Sequence, residues 1–187
     1  VLIFDEIRSG FRMSLGGAQK RYGVTPDLAT FGKAMANGYP LSALVGRAEI
    51  MQVYEKKAFL SSTFFPNSLE MVAAIKTIEI LERDRVLDIL WERGAKLIAD
   101  LRAIVERSGV PAQITGNPMM PYIFFPRDDQ GKYKERRVLF HTYAIRAGVF
   151  MQPYHHSYIA WRHTDEDYAR IRQVFEDGLA FVARQIP

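Results

Sequence analysis

Two residues of complementary chemistry, Asp5 and Lys33, each follow a short apolar segment of the sequence. Asp5 comes directly after Val1-Leu2-Ile3-Phe4, and Lys33 comes after Gly32, at the end of the segment 26–31. The two are separated by 33 − 5 = 28 residues, which is enough for one strand to leave a site and another to return. In open α/β sheets, ligands bind at the carboxyl ends of the strands. We therefore expect a carboxylate and a primary amine to share one site.

An acid and a lysine in this arrangement match what pyridoxal phosphate (PLP) requires from a protein. PLP needs a lysine for a Schiff base, a carboxylate against its pyridine nitrogen, apolar packing on its ring faces and donors for its phosphate. Ile7 is a branched apolar residue two positions after Asp5 and is suited to lie against a ring face. Each residue alone also has an ordinary interpretation, because an acid after a strand is commonly a cap or turn residue and a lysine at a strand end is usually solvated. The hypothesis therefore depends on the combination.

Several short segments along the whole chain resemble motifs of one family of PLP enzymes. Phe4–Arg12 resembles F-D-E-V-x-T-G-F-R, and Phe31–Ala34 resembles the L-G-K segment that carries the Schiff-base lysine. Ser62–Asn67 is similar to G-T-x-x-G-N-P, and His163–Asp167 is similar to A-H-T-x-E-D. Further segments resemble the family's G-A-Q, Y-G-V and T-P-D-L stretch, namely Gly17-Ala18-Gln19, Tyr22-Gly23-Val24 and Thr25-Pro26-Asp27-Leu28. All of these matches occur in the family's order along the chain. The chain thus resembles the C-terminal portion of a class III PLP-dependent aminotransferase, in the glutamate-1-semialdehyde 2,1-aminomutase-like branch.

The resemblance implies a role for each matching residue. Asp5 pairs with the pyridinium nitrogen, Ile7 lies against the ring, and Lys33 forms the Schiff base and then moves protons as a general acid and base. Asp5 and Lys33 are therefore the expected catalytic residues, and PLP the expected cofactor. Thr63 is expected to bind the PLP phosphate of the neighbouring subunit, which implies a homodimer with shared active sites.

The activity implied by the resemblance is transfer of an amino group between an amine or amino acid and a carbonyl acceptor, both of them small molecules. One alternative is an aminomutase that acts on glutamate 1-semialdehyde. The other is an inactive fragment or a non-catalytic interaction protein, because the family's preceding half, with its main phosphate-binding loop, is not part of this sequence. A chain that opens inside a strand pattern is itself expected to be a piece of a longer protein.

The first part of the sequence predicts strands that position these residues. Short apolar segments at 1–4, 26–31 and 41–45 are typical of strands, and 48–57 and 67–81 are predicted helices. Asn67 and Glu70 predict a capping box for the second helix, which is apolar nearly all round and is expected to be packed on several sides. The polar stretch 82–85 indicates a domain boundary, with domains at 1–84 and 85–187. The first is expected to be the C-terminal part of a PLP-binding large domain of the fold type I α/β class.

The second part of the sequence predicts a small α+β domain. An amphipathic helix at 86–105 is followed by two strands within 110–126, a helix at 136–146 and a short strand at 149–152. Thr164 is the predicted N-cap of the last helix, and Asp165, Glu166 and Asp167 place negative charge on its first turn. The spacing of apolar residues predicts which side chains these helices bury: Leu87, Leu90, Leu97, Leu101, Ile104, Tyr168, Ile171, Val174, Phe175 and Val182.

Composition excludes several classes of function. The 187 residues contain no cysteine, which rules out disulfides and thiolate chemistry and fits a cytoplasmic protein. The net charge is +4 and the basic residues are scattered; the densest cluster, at 132–137, is interpreted as a solvated helix start, so no nucleic-acid partner is expected. No membrane partner is expected, since no apolar run is long enough to span a bilayer. The four histidines lack ligand spacing, so no metal site is expected, and Tyr154 and Arg162 are candidates for substrate contact.

Overall fold

The structure is a computed structural model that describes residues 1–59, 61, 63, 65 and 67–186, with Glu55 and Lys56 described by their backbone alone. The chain divides into two compact units, Val1–Asp88 and Ile89–Pro187. The division falls inside a long helix, shortly after the expected boundary at residue 84. The assignment of these units to a large and a small domain stays a prediction.

A three-stranded sheet organises the first unit, in the order β1–β2–β3. β1 (Ile3–Asp5) runs parallel to β2 (Leu28–Phe31), and β3 (Ala43–Gly46) runs antiparallel to β2 on its other side. All three predicted strands are therefore present, although each is shorter or shifted by a few residues. The apolar character of β1 fits a parallel strand, because such strands are usually covered on both faces.

Helices connect and cover this sheet. α1 (Gly17–Tyr22) lies between β1 and β2, a short 3-10 helix (Lys33–Ala36) follows β2, and α2 (Ala48–Lys57) has the predicted bounds. α3 (Ser68–Arg83) follows and packs against the 3-10 helix. Their shared core is small and consists of Ala29, Phe31, Met35, Ala36 and Ala74.

Two expectations about α3 were wrong. The helix was expected to be packed on several sides, but Leu69, Val72 and Ile75 are each more than half exposed. Asn67 is the N-cap, with its side chain accepting a hydrogen bond from the Leu69 N–H, yet Glu70 does not complete the box. Glu70 is instead buried, and among the described residues its Oε2 atom has no hydrogen-bond partner. The helix thus presents an apolar face that the described residues of this chain leave exposed.

The second unit has a core of its own. α4 (Val86–Ser108) is followed by the hairpin of β4 (Gln113–Asn117) and β5 (Met120–Phe124), then by α5 (Lys132–Arg146) and α6 (Asp165–Gln185). α5 packs against α6, with the rings of Phe140 and Phe175 at 5.0 Å. Nine of the ten side chains that the sequence predicted to be buried in α4 and α6 are buried, namely Leu87, Leu90, Leu97, Leu101, Ile104, Tyr168, Val174, Phe175 and Val182, and Ile171 is half-buried. Thr164 is the N-cap of α6, as predicted, and with Asp167 it forms a capping box.

Two expectations for the second unit were wrong. Residues 149–152 do not form a strand. α5 begins at Lys132, because the Asp128 carboxylate caps it by accepting the N–H groups of Lys132 and Tyr133. The same carboxylate pairs with Arg136 at 2.9 Å, and Arg136 is buried, so the basic cluster is not wholly a solvated surface. In the part of the chain that the structure describes, no helix has the length and apolar character needed to cross a membrane.

Candidate active site

The parallel pairing of β1 with β2 brings Asp5 and Lys33 to one edge of the sheet. In the register of this pair, Asp5 lies opposite Thr30. Asp5 is the last residue of β1, and Lys33 follows the end of β2 at Phe31 by two positions. Since parallel strands present their carboxyl ends at the same edge, both side chains belong to that edge, as the sequence predicted.

The carboxylate of Asp5 is oriented by two donors. Its Oδ1 atom accepts the backbone N–H of Ile7 at 3.0 Å and, at a longer 3.4 Å, the hydroxyl of Thr30. The first contact is the local turn that an aspartate forms with the backbone two residues further on. Asp5 remains exposed, so its carboxylate is held by neighbouring groups while keeping acceptor capacity for a ligand.

The backbone at Lys33 has an unusual conformation. Its φ angle is +45°, in the left-handed region that residues other than glycine rarely adopt. Such a conformation costs on the order of 1 kcal/mol or more and persists only where the surrounding structure imposes it. Here Lys33 opens the 3-10 helix, whose residues Met35 and Ala36 are anchored in the core, while Lys33 itself is exposed. The buried anchor thus fixes the point from which the amine extends.

Ile7 lies close to the segment that carries Lys33. A Cβ atom placed on Gly32 would be 3.9 Å from Cγ2 of Ile7 and 3.5 Å from the carbonyl oxygen of Leu41. These distances correspond to ordinary van der Waals contact. The structure therefore brings Asp5, Ile7 and the Gly32-Lys33 segment to one sheet edge. This donor set fits a pyridine aldehyde such as PLP, which requires all three.

A buried carboxylate next to Asp5 fixes the loop that leaves β1. Glu6 is 1% exposed, and its carboxylate accepts the N–H of Ala18 at 2.7 Å and 2.9 Å and that of Gln19 at 3.2 Å. It also accepts the Ser9 hydroxyl. Gly17 has a φ of +67°, and a Cβ atom there would overlap the Glu6 carboxylate. Glu6 therefore ties the start of α1 to the end of β1.

The opposite end of β1 is held by Asp27. Its carboxylate accepts the Leu2 N–H at 2.7 Å and pairs with Arg47 at 3.1 Å. The hydrogen bond from Leu2, followed by that from Arg47, lowers the pKa of Asp27 below its usual value. The carboxylates of Asp27 and Glu6 thus hold the two ends of the three-residue strand β1 through hydrogen bonds, and this keeps the Asp5 carboxylate in place.

The structure does not bring Thr63 into this group. Thr63 lies in a turn between α2 and α3 and is exposed, and the described residues show no contact between it and Asp5 or Lys33. Three other residues of the segment that resembles the family motif, Ser62, Phe64 and Pro66, lie outside the described residues. The cofactor-binding roles of Thr63, Asp5, Ile7 and Lys33 all remain predictions.

Sequence reasoning missed Thr30 and Glu6. Thr30 could have been found by pairing the two predicted strands at their carboxyl ends, which sets it opposite Asp5. Glu6 carried no signal beyond its type, because its partners belong to a helix start twelve and thirteen residues away.

Comparisons with known proteins identify relatives of this chain. The sequence model of the class-III aminotransferase family matches residues 1–177. The chain is 61% identical over 186 residues to a 3-aminobutyryl-CoA aminotransferase of Cloacimonas acidaminovorans, covering 100% of this chain and 45% of that protein. It is 34% identical to a glutamate-1-semialdehyde 2,1-aminomutase of Nitratidesulfovibrio vulgaris, covering 90% and 42%.

A solved structure with the same fold is the PLP internal aldimine form of the FumI protein of Sphingopyxis sp. MTA144. It superposes with a TM-score of 0.88 at 30% identity, over 98% of this chain and 43% of that one. The chain thus spans less than half the length of the curated relatives that it matches.

Proposed function

This chain belongs to the class-III aminotransferase family, and from that membership we propose that it carries part of the active site of a PLP-dependent aminotransferase. The reaction moves an amino group between an amine or amino acid and a carbonyl acceptor. The observation that supports the proposal is the parallel pairing of β1 with β2, whose carboxyl ends lead to Asp5 and to Lys33 at one sheet edge. We also propose a cytoplasmic location, which the absence of cysteine from these 187 residues fits.

Each residue at the sheet edge has a defined task in this proposal. PLP, when bound, supplies a cationic ring that withdraws electrons from the carbon bearing the amino group. Asp5 would keep the ring nitrogen protonated through an ion pair, and Ile7 would pack against the ring. Lys33 would hold the cofactor through its amine, and as a free amine it would remove and return the proton at the reacting carbon.

The proposal also includes a second subunit. Thr63 is exposed and apart from Asp5 and Lys33 among the described residues, so its hydroxyl is available to the phosphate of PLP bound in a partner subunit. A homodimer with shared active sites follows from that assignment. The uncovered apolar residues Leu69, Val72 and Ile75 on α3 are consistent with burial by parts of the protein beyond this chain.

The substrate class comes from the relative with 61% identity, whose name specifies a 3-aminobutyryl-CoA substrate. We propose that this protein likewise acts on the thioester of coenzyme A (CoA) with a 3-amino acid. The aminomutase relative, at 34% identity, supports the second candidate, a reaction that needs no separate acceptor.

The first test is the covalent position of the cofactor. The complete protein is loaded with PLP, reduced with borohydride and digested, and we expect the pyridoxyl label on the peptide that contains Lys33. The Lys33→Ala variant should carry no label, whereas Lys20→Ala, which removes an exposed lysine of α1, should be labelled like the unchanged protein. A label on a different lysine, or a protein that takes up no PLP, contradicts the proposal and favours the non-catalytic alternative.

The second test replaces the acid. An amide does not hold the ring nitrogen protonated, so Asp5→Asn should lower kcat by roughly 100-fold, the scale seen when one preorganised electrostatic partner is lost. The label on Lys33 should persist in this variant. The matched control is Asp88→Asn, at an exposed carboxylate in α4. An Asp5→Asn enzyme with unchanged kcat would remove Asp5 from the mechanism.

The cofactor itself distinguishes the two candidate reactions. A transaminase given only its amino donor should accumulate the amine form of the cofactor, because the reaction stops until an acceptor arrives. An aminomutase returns to its starting form without one. Absorbance spectra recorded with 3-aminobutyryl-CoA alone, and then with glutamate 1-semialdehyde alone, decide between them.

A further inference from the structure

An exposed aromatic ring in the second unit is held in place by a cation. The side chain of Tyr154 is 76% exposed, yet the Arg137 guanidinium lies 4.1 Å from its ring centroid. The Arg137 Nη2 atom also donates a hydrogen bond to the Tyr154 hydroxyl at 2.8 Å. One face of the ring is therefore covered and its orientation fixed, while the outward face is open to solvent. A large aromatic surface fixed in water is suited to stacking, because little conformational freedom is left to lose on binding.

Further aromatic and cationic groups surround this ring. Tyr133 lies on α5 with its ring centroid 5.9 Å from the Arg137 guanidinium, and Lys134 Nζ is also 5.9 Å from that ring. We call the group Tyr133, Lys134, Arg137 and Tyr154 the tyrosine–arginine platform. The platform thus combines two aromatic rings with two positively charged side chains.

The charge of the platform is not neutralised within the described residues. The nearby carboxylate of Asp128 is already used, since it caps α5 and pairs with Arg136. Over the described part of the chain, neither Lys134 nor Arg137 forms an ion pair. Two cations without a carboxylate partner favour an anionic ligand, and the effect is strongest at low salt.

A groove of about 410 Å³ begins at the same tyrosine. Its walls come from the β4–β5 hairpin and from the segment after α5, with Thr115, Gly116, Asn117, Met120, Tyr122, Tyr154 and His156 as the lining residues. This volume is within the usual range for small-molecule sites. The hydroxyl and amide groups of the hairpin give it hydrogen-bonding capacity beside the stacking surface.

We propose that the tyrosine–arginine platform binds the nucleotide end of a CoA thioester. The adenine stacks on the outward face of Tyr154, and the phosphates lie towards Arg137 and Lys134. Every nucleobase has a π face that stacks on tyrosine, and the phosphates of CoA match the unpaired cations in charge. This inference rests on the proposed function for its choice of ligand, and it assigns the residues that would distinguish a CoA thioester from a free 3-amino acid.

The test compares two amino donors that differ only in the CoA group. The complete PLP-loaded protein is assayed with 3-aminobutyryl-CoA and with 3-aminobutyrate, and the ratio of the two kcat/KM values is the readout. Tyr154→Ala should lower this ratio roughly tenfold, because it removes one stacking surface. Arg137→Gln should lower it by a similar factor, and that loss should shrink at high salt. Tyr154→Phe keeps the ring and should restore most of the preference for the thioester.

A matched control is Arg146→Gln, which removes one positive charge near the other end of α5, outside the platform. Its ratio should equal that of the unchanged protein. Unchanged ratios in both Tyr154→Ala and Arg137→Gln would overturn the inference. A fall of kcat/KM that is equal for both donors would overturn it too, since that result indicates a structural defect.

A binding measurement separates this inference from the proposed function. Adenosine 3′,5′-bisphosphate, which contains the nucleotide end of CoA without its thiol arm, is titrated calorimetrically into the complete protein and into Tyr154→Ala. We expect binding that weakens roughly tenfold in the variant. Binding that depends on Tyr154 in a protein that transfers no amino group contradicts only the proposed function. Amino transfer without any Tyr154-dependent nucleotide binding contradicts only the inference.

Discussion

His141 is a titratable residue that the second unit buries almost completely, with 2% of its surface exposed. Its Nδ1 atom lies 2.8 Å from the carbonyl oxygen of Arg137, which only accepts hydrogen bonds, so Nδ1 carries the proton of the neutral ring. Its Nε2 atom has no hydrogen-bond partner among the described residues. Burial, and to a smaller extent the Arg137 charge, lowers the pKa of His141 below its ordinary 6.5, against a weaker opposing effect of the Arg137 hydrogen bond.

The depressed pKa predicts how stability depends on pH. Above pH 6.5 the ring is neutral in both folded and unfolded chains. As the pH falls below that value, the unfolded chain takes up a proton that the folded chain does not, so the free energy of unfolding decreases until the lowered folded-state pKa is passed. We expect the stability of the unchanged protein, relative to His141→Phe, to decrease between pH 8 and pH 5. Urea unfolding at both pH values measures this, and a constant difference would contradict it.

At the residue scale, the sequence offered candidates for the groups that carry chemistry but not for the groups that position them. Asp5 and Lys33 could be selected because an acid and an amine after two apolar segments have a chemical meaning before any fold is known. Thr30 and Glu6 could not, because a hydroxyl and an acid acquire their roles only from strand register and from a helix start placed beside them. Tyr154 was a candidate for substrate contact, but its contact with Arg137 could not be predicted, because it depends on the turn that follows α5.

At the scale of elements, the connection between β1 and α1 depends on one buried acid. Glu6 accepts backbone N–H groups from Ala18 and Gln19 and the Ser9 hydroxyl, all of which are donors. Glu6→Gln replaces one acceptor oxygen with an NH₂ group that faces these donors. We expect a loss of about 1–3 kcal/mol in the free energy of unfolding, the cost of leaving buried polar groups unsatisfied. Urea unfolding of the complete protein gives the value.

The matched control for that variant is Glu79→Gln on α3. Glu79 is exposed and pairs with Lys76 on the surface, so its replacement should change stability by well under about 1 kcal/mol. If both variants lose the same small amount, Glu6 does not anchor α1. Because Glu6 adjoins Asp5, the Glu6→Gln enzyme should also lose activity in proportion to how far the end of β1 moves.

The observed element boundaries matched the predicted ones where the apolar periodicity and the capping residues indicated the same position. α6 has both an apolar stripe and a capping box, and it begins at the predicted position. Residues 149–152 were predicted as a strand from their composition, but among the described residues they pair with no strand, and the Val149 N–H donates to the Ala144 carbonyl instead. α5 starts earlier than its apolar pattern indicated, because Asp128 supplies an N-cap from outside the helix.

At the scale of the whole molecule, the two units differ in how much of their apolar surface they bury. In the second unit Met119, Phe140, Leu179 and Val182 have no exposed surface. In the first unit Val1 is 92% exposed and Ile3 57%, and α3 leaves several apolar side chains in solvent. This difference could not be predicted from the sequence, because an apolar helix pattern shows that a face is to be covered and not which segment covers it. The curated relatives that the chain matches are more than twice as long as this chain.

This difference predicts that the two units behave differently when separated. A fragment of residues 85–187 includes all of α4 and the whole second-unit core, so we expect one cooperative unfolding transition in urea. A fragment of residues 1–88 has a three-stranded sheet with uncovered apolar residues, so we expect non-cooperative unfolding and strong binding of a hydrophobic dye. A 1–88 fragment that unfolds cooperatively and binds no dye would show that its core is sufficient alone.

Within the 85–187 fragment, a Cβ atom added at Gly94 would meet the Pro118 carbonyl oxygen at 2.0 Å. Gly94→Ala should therefore lower the free energy of unfolding of this fragment by about 1–3 kcal/mol.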